Sequence, residues 1–229
     1  MSIINKVKGR QVFDSRGNPT VEAEVILQDG TIGRAIVPSG ASRGRYEAHE
    51  LRDKSDDYLN KSVFKAVENI NYKISKALMG KTPTHQSEID EILINLDGTE
   101  NKSKIGANAI LAASIANLKA AAKLSKKDIY RYISVDKISE FFIPYPLMNI
   151  INGGAHANNS IEIQEFMIRP DKAKNFQECM HISFLVIQNL KKKLEDINMS
   201  TSVGDEGGFS PSLKSDEAAI EIIMKSIIS

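Results

Sequence analysis

The spacing of hydrophobic and polar positions changes twice along this chain. Near its start Val21, Ala23, Val25 and Leu27 alternate with Glu22, Glu24 and Gln28. A period of two belongs to a strand with one buried face. Residues 7–13 read as a partner strand, with Arg16-Gly17-Asn18-Pro19 as the turn between them. Asp29-Gly30 is a hairpin signal, and residues 31–37 follow as a third strand. The chain thus opens with a three-stranded antiparallel meander.

From residue 63 the period becomes helical. Val63, Val67, Ile70, Ile74 and Leu78 form one apolar stripe, with Gly80 as its expected C-cap. Ile89, Ile92, Leu93 and Leu96 mark a second helix that ends before Asp97-Gly98. Residues 104–123 are rich in Ala, with apolar positions around most of the circumference, so this helix is predicted to be buried on several sides. A short helix over 126–134 completes the unit. Strands first and helices after define an α+β arrangement.

Residues 134–142 read as a passage into a second unit, which divides the chain into 1–138 and 139–229. From Pro144 the order is strand to Ile151, loop, strand over 163–168, helix, polar loop, helix. The first of these helices carries Phe176, Met180, Ser183, Ile187, Leu190, Leu194 and Ile197 at spacings of four and three. The last opens on Ser215 or Asp216 with acidic residues in its first turn.

Composition narrows the function classes. At 229 residues the chain allows one large domain or two small ones. A net charge of +1 removes any global electrostatic argument for nucleic acid or a membrane surface. The single cysteine, Cys179, builds no disulfide framework and falls within an apolar stripe, so a core position is expected. The first residues make too short and interrupted an apolar run for a secretory leader, so none is expected, and no run approaches the roughly 18 apolar residues of a spanning helix. A cytoplasmic protein is expected.

Candidate chemistry gathers in three stretches. Between two apolar runs, Asn152-Gly153-Gly154 leads to His156, and Gln164-Glu165 opens the next strand. Polar groups at a strand end and in its loop suit a small-molecule site. Val203-Gly204-Asp205-Glu206-Gly207-Gly208-Phe209 places two carboxylates among glycines, on a bent backbone that cannot be a helix interior. Such a pair serves as a general acid or base, as a metal ligand, or simply as a solvated turn. The third stretch, Pro38-Ser39-Gly40-Ala41-Ser42-Arg43-Gly44-Arg45, is small, hydroxyl-bearing and cationic. It reads either as a mobile lid over an anion or as a flexible linker.

In this order the motifs resemble the enolase family. Asp14-Ser15-Arg16-Gly17-Asn18-Pro19-Thr20-Val21-Glu22 is similar to its opening signature, and Pro38–Ser42 to its first mobile loop. Leu96-Asp97-Gly98-Thr99-Glu100-Asn101-Lys102-Ser103-Lys104 with Gly106-Ala107-Asn108-Ala109-Ile110, Asn152-Gly153-Gly154 with His156-Ala157, Gln164-Glu165-Phe166-Met167 and Gly204-Asp205-Glu206-Gly207-Gly208 complete the set. The resemblance implies an α+β N-terminal domain followed by the ββαα start of a (β/α)8 barrel. It implies reversible dehydration of 2-phosphoglycerate to phosphoenolpyruvate in glycolysis, with two Mg²⁺ ions. Taking a proton from carbon beside a carboxylate creates a dianion, and fixed cations stabilise that charge. By the match Glu206 is the general acid and Glu165 helps it keep its proton and position the hydroxyl. His156 approaches the phosphate end, Gln164 lines the pocket, and Ser42 brings a hydroxyl to the second Mg²⁺.

The resemblance also implies what this sequence lacks. The barrel needs roughly 250 residues and eight strands, so an incomplete barrel is expected, with two open strand edges. The family's main carboxylate ligands for Mg²⁺, its Lys base and its further substrate-binding residues match nothing here, so the chain is expected to be a truncated enolase, inactive alone. The alternative is a non-catalytic enolase fragment acting as a binding or dimerisation module. Arg10 and Glu22 match the family's homodimer contacts, whereas Leu185 replaces a Glu that bridges the dimer. Arg43 stands where the mobile loop usually has Thr. A secondary cell-surface location, known for some enolases, is a weaker expectation.

Overall fold

The computed structural model describes residues 2–40, 42–134, 140–204 and 207–228. The chain forms two compact units, Met1–Ile138 and Ser139–Ser229.

In the first unit β1 (Ile4–Phe13), β2 (Pro19–Leu27) and β3 (Ile32–Val37) make an antiparallel meander in the order β1-β2-β3. Arg10 stands opposite Glu22, and Ala23 opposite Ala35. Val21, Ala23, Val25 and Leu27 turn one face of β2 into a helix-covered core. On the other face the Arg10 guanidinium donates to Glu22 and, at 2.8 Å, to Glu24. The Arg10 bond holds the Glu24 carboxyl below the usual carboxylate range. Arg10 and Glu22 thus pair with each other within the chain.

The helices of this unit are α1 (Phe64–Asn69), continued by a π turn over Ile70–Ile74 and by α2 (Ser75–Leu78), then α3 (Gln86–Asp97), α4 (Ala107–Leu124) and α5 (Ile129–Ile133). The expected stripe over residues 63–78 is present, but it runs through a widened turn. There the Asn71 side chain clamps β1, accepting from the Gly9 amide at 2.9 Å and donating to the Gly9 carbonyl at 3.1 Å. The Ser75 hydroxyl accepts from the Val7 amide at 3.2 Å. These bonds occupy backbone groups on an edge strand that would otherwise be left to recruit another chain. Gly80 follows the C-cap, Met79, with φ +82 and donates to the Ile4 carbonyl.

The Ala-rich helix begins three residues later than its composition indicates. Asp97, 1% exposed, accepts from the amides of Lys104 at 3.1 Å and Ile105 at 2.6 Å, and from the amide and hydroxyl of Thr99. Those bonds hold 104–105 outside the helix, and Ile105 enters the core from the loop. The role of the alanines is clear at Gly33. A Cβ there would overlap the Ala116 carbonyl oxygen and the Ala120 amide nitrogen, so strand and helix backbones touch directly.

In the second unit β4 (Met148–Asn152) and β5 (Glu165–Ile168) pair antiparallel, and α6 (Phe176–Asp196) and α7 (Asp216–Ile227) follow. Asn175 caps α6 through the Glu178 amide, and Ser215 caps α7 through the Ala218 amide. Ile150, Ile151, Phe166, Leu190, Leu194 and Ile223 meet in the core, and Cys179 is buried. The expectation of two open strand edges needs correction. Phe209 bridges Ile151 in parallel, donating to the Ile150 carbonyl and accepting from the Asn152 amide, both at 2.8 Å. One side of β4 is therefore partnered at its last residues, 150–152, while the sheet itself has only the two strands. Among the described residues no helix is long and apolar enough to cross a membrane.

Two tests follow from the first unit. Gly33→Ala should cost about 1–3 kcal/mol or more through overpacking, read as a lower denaturant midpoint. Burial opposes ionisation of Asp97, yet the Thr99, Ile105 and Lys104 donors win and hold its carboxyl below the usual range. A depressed folded-state value gives stability that is complete above the unfolded value of about 3.9 and lost as pH falls through the folded one. Asp97→Asn should therefore lower stability at pH 7 by about 1–3 kcal/mol and flatten the loss below pH about 4, measured by urea unfolding across pH.

Candidate active site

In the second unit the hairpin end gathers the polar residues. Asn152, the last residue of β4, faces Glu165, the first of β5. The chain then turns back on itself: the Gly153 amide donates to the Gln164 carbonyl at 3.0 Å and the Gly154 amide to the Ile161 carbonyl at 2.7 Å. A single 3-10 turn, Gly154–His156, follows. It delivers the His156 side chain, 5% exposed, so that Nδ1 lies 3.4 Å from Glu165 Oε1. A sheltered imidazole beside a half-buried carboxylate is a pair able to bind and to move a proton. Gln164 is exposed just ahead of β5, next to this pair.

Glu206 and Asp205 lie outside the described residues. The backbone on either side of them is fixed. Val203 and Phe209 bridge antiparallel, the Gly204 amide donates to the Gly208 carbonyl at 3.0 Å, and the Gly207 amide donates to the Gly204 carbonyl at 3.2 Å. These flanks are fastened to the end of β4. The Asn152 side-chain amide donates to the Gly207 carbonyl and, at 3.1 Å, to the Gly208 carbonyl. Asn159 adds a second fastening, donating to the carbonyls of Asn152 at 2.9 Å and Pro211 at 3.0 Å.

Ser42 belongs to the first unit and is exposed. Its loop faces solvent but carries ion pairs and hydrogen bonds at its ends. Arg43 donates to Glu50 at 2.8 Å, Arg52 donates to the same carboxylate at 2.8 Å and to the Ser39 hydroxyl at 2.7 Å, and Ser39 donates to Glu50 at 2.5 Å. Arg16 reaches the Ser39 carbonyl. The charge that Arg43 brings to this loop is thus paired with Glu50, which it shares with Arg52, so the three groups together keep one positive charge.

His156 and Glu165 are brought together, therefore, while Gln164 is exposed beside Glu165 in the chain, and the flanks of the acidic pair are held against the strand that faces Glu165. Sequence reasoning missed Asn152 and Asn159 as fasteners, and it missed Glu50 and Arg52. The one available signal was an Asn directly before a Gly pair, at the end of an apolar run. Among the described residues no group of three or more His, Cys, Asp or Glu is placed to hold a metal ion.

Two family models cover nearly the whole chain. The enolase N-terminal domain matches residues 4–133, and the enolase C-terminal TIM barrel domain matches residues 140–229. The chain belongs to the enolase family. An enolase from Pelagibacter ubique (strain HTCC1062) is 56% identical to it over 228 residues, which is 99% of this chain and 54% of that relative. The chain spans about half the length of the enolase it matches. The family is one of hydro-lyases, and the two units are its α+β N-terminal domain and the ββαα opening of its barrel, without barrel closure.

The two glycines that follow the acidic pair can be told apart by experiment. Gly207 and Gly208 both have left-handed backbones, at φ +74 and +72. A Cβ on Gly207 meets nothing within 4 Å, whereas one on Gly208 would lie 2.9 Å from the Ile150 carbonyl carbon. Gly207→Ala should cost about 1–2 kcal/mol from backbone strain alone. Gly208→Ala adds a clash with β4 and should cost about 2–4 kcal/mol, read by thermal unfolding of the two variants side by side.

Proposed function

We propose that this chain carries the proton-donating half of an enolase site for the reversible dehydration of 2-phosphoglycerate to phosphoenolpyruvate. The observation that supports this reading best is the His156–Glu165 pair, with Nδ1 and Oε1 3.4 Å apart, at the strand end to which the flanks of the acidic pair are fastened. In this reading the C–O bond of the substrate breaks with its electron pair on oxygen. Glu206 gives its proton to that oxygen, so hydroxide leaves as water. Glu165, across the hairpin from Asn152, helps position the departing hydroxyl and keep the acid protonated. His156 faces the phosphate end of the substrate, and Gln164 lines the pocket. The proton on carbon must go to a base that this sequence does not match.

Among the described residues no carboxylate or histidine cluster is placed for a Mg²⁺ ion, and Ser42 offers only a neutral hydroxyl. The two Mg²⁺ ions of the proposed reaction would need further carboxylates, with Ser42 as one ligand of the second. A glycolytic, cytoplasmic homodimer belongs to the same reading.

The experiment is a chimera. Residues 1–229 replace the matching half of the 56% identical relative, and phosphoenolpyruvate formation is followed by its absorbance. The chimera should turn over 2-phosphoglycerate in a Mg²⁺-dependent way, and the 229-residue polypeptide alone should not. Glu206→Gln in the chimera should lower kcat by about 10²–10⁴-fold, the worth of a general acid. A Glu206→Gln chimera as active as its parent would remove Glu206 from the role.

A further inference from the structure

We infer that the free edge of β5 is a self-association surface, where two copies of this chain pair antiparallel about a twofold axis at Met167. The inference goes beyond the reading above and does not depend on it.

Among the described residues β5 pairs with β4 alone, so its other edge has no strand beside it. An apolar groove of about 600 Å³ follows β5, walled by α6 and α7. Consecutive residues from Glu165 to Pro170 line it, odd and even alike. Successive side chains of a strand point to opposite faces, so the groove lies at the edge and not over one face. Ile163, Met167, Ile182, Ile220, Met224 and Ile227 also border it, and each is 36–50% exposed. A sheet of two strands is marginal by itself. An unpaired edge among apolar side chains is a template for a further strand.

The strand that fits this edge is β5 itself. A strand laid antiparallel on its own copy is self-complementary, as a twofold interface requires. With Met167 opposite Met167 of the second copy, Glu165 of each copy faces Arg169 of the other, so two opposite-charge pairs form across the axis. Moving the register by one residue loses both pairs. Pro170 has no amide and ends the ladder just beyond Arg169. Both charged groups are able to take part. The Arg169–Asp171 pair is more than half exposed, and such pairs contribute little. A carboxylate has two oxygens, so Glu165 Oε1 can keep His156 while Oε2 takes the guanidinium.

The test is sedimentation of the 229-residue chain across concentration, with amide exchange as a second readout. A dimer should form, and exchange at residues 165–169 should slow as concentration rises, while exchange in β1, β2 and β3 stays constant. Glu165→Arg and Arg169→Glu should each weaken the dimer by about tenfold or more, since each change turns two attractions into two repulsions. The double variant, Glu165→Arg with Arg169→Glu, should restore it. A chain that stays monomeric up to its solubility limit would overturn the inference and leave the edge to a strand of another sequence. A dimer indifferent to the single charge reversals would also overturn it, as would a double variant that associates no better than the singles. Protection confined to β1, β2 and β3 would do the same, because the contact would then belong to the first unit.

Discussion

Backbone carbonyls that leave a strand must find donors, and at the end of β4 one amide side chain supplies them. Asn152 takes the carbonyls of Gly207 and Gly208 while its own amide holds Phe209. A buried polar group without a partner costs about 1–3 kcal/mol. These two bonds therefore favour the position of the glycines against β4. Around that strand end Glu165 lies across the hairpin, His156 arrives on the next turn, and the glycines that flank the acidic pair are fastened.

The same device recurs in the first unit. Asp97 gathers the amides that precede α4. Asp53 gathers the amides of Phe64 and Lys65 at the start of α1. Asn71 binds both backbone groups of Gly9, and Asn108 binds both backbone groups of Leu51. Hydrophobic burial brings the elements together, but it is non-directional. These side chain to backbone bonds fix register and helix starts where burial alone would allow a slip.

That division of labour explains how far the chain could be read in advance. Alternation from Val21 to Leu27 and the stripe from Val63 to Leu78 follow from burial, which repeats with the local geometry and so leaves a periodic trace. His156 and Glu165 were legible because they are close in sequence and flank a Gly pair. The clamps left no such trace. Asn152 meets its loop 55 and 56 residues away, and Asn71 meets Gly9 at a separation of 62. Whether an asparagine points to solvent or to a distant carbonyl is decided by tertiary structure. The late start of α4 was hidden for the same reason: Ile105 continues the apolar pattern, while Asp97 removes its amide from the helix. Motif resemblance added expectations that period alone did not carry, those at Glu206, Gln164 and Ser42.

The cluster beneath Ser42 has a consequence for variation. Glu50 serves Ser39, Arg43 and Arg52 through two oxygens. Loss of that single carboxylate takes the anionic partner from two guanidinium groups at once, whereas loss of either arginine leaves the other paired. Residues that share a partner in this way do not respond independently. Changes at these four positions are thus epistatic, and the tolerance of the loop to Arg43 depends on which residue occupies position 50.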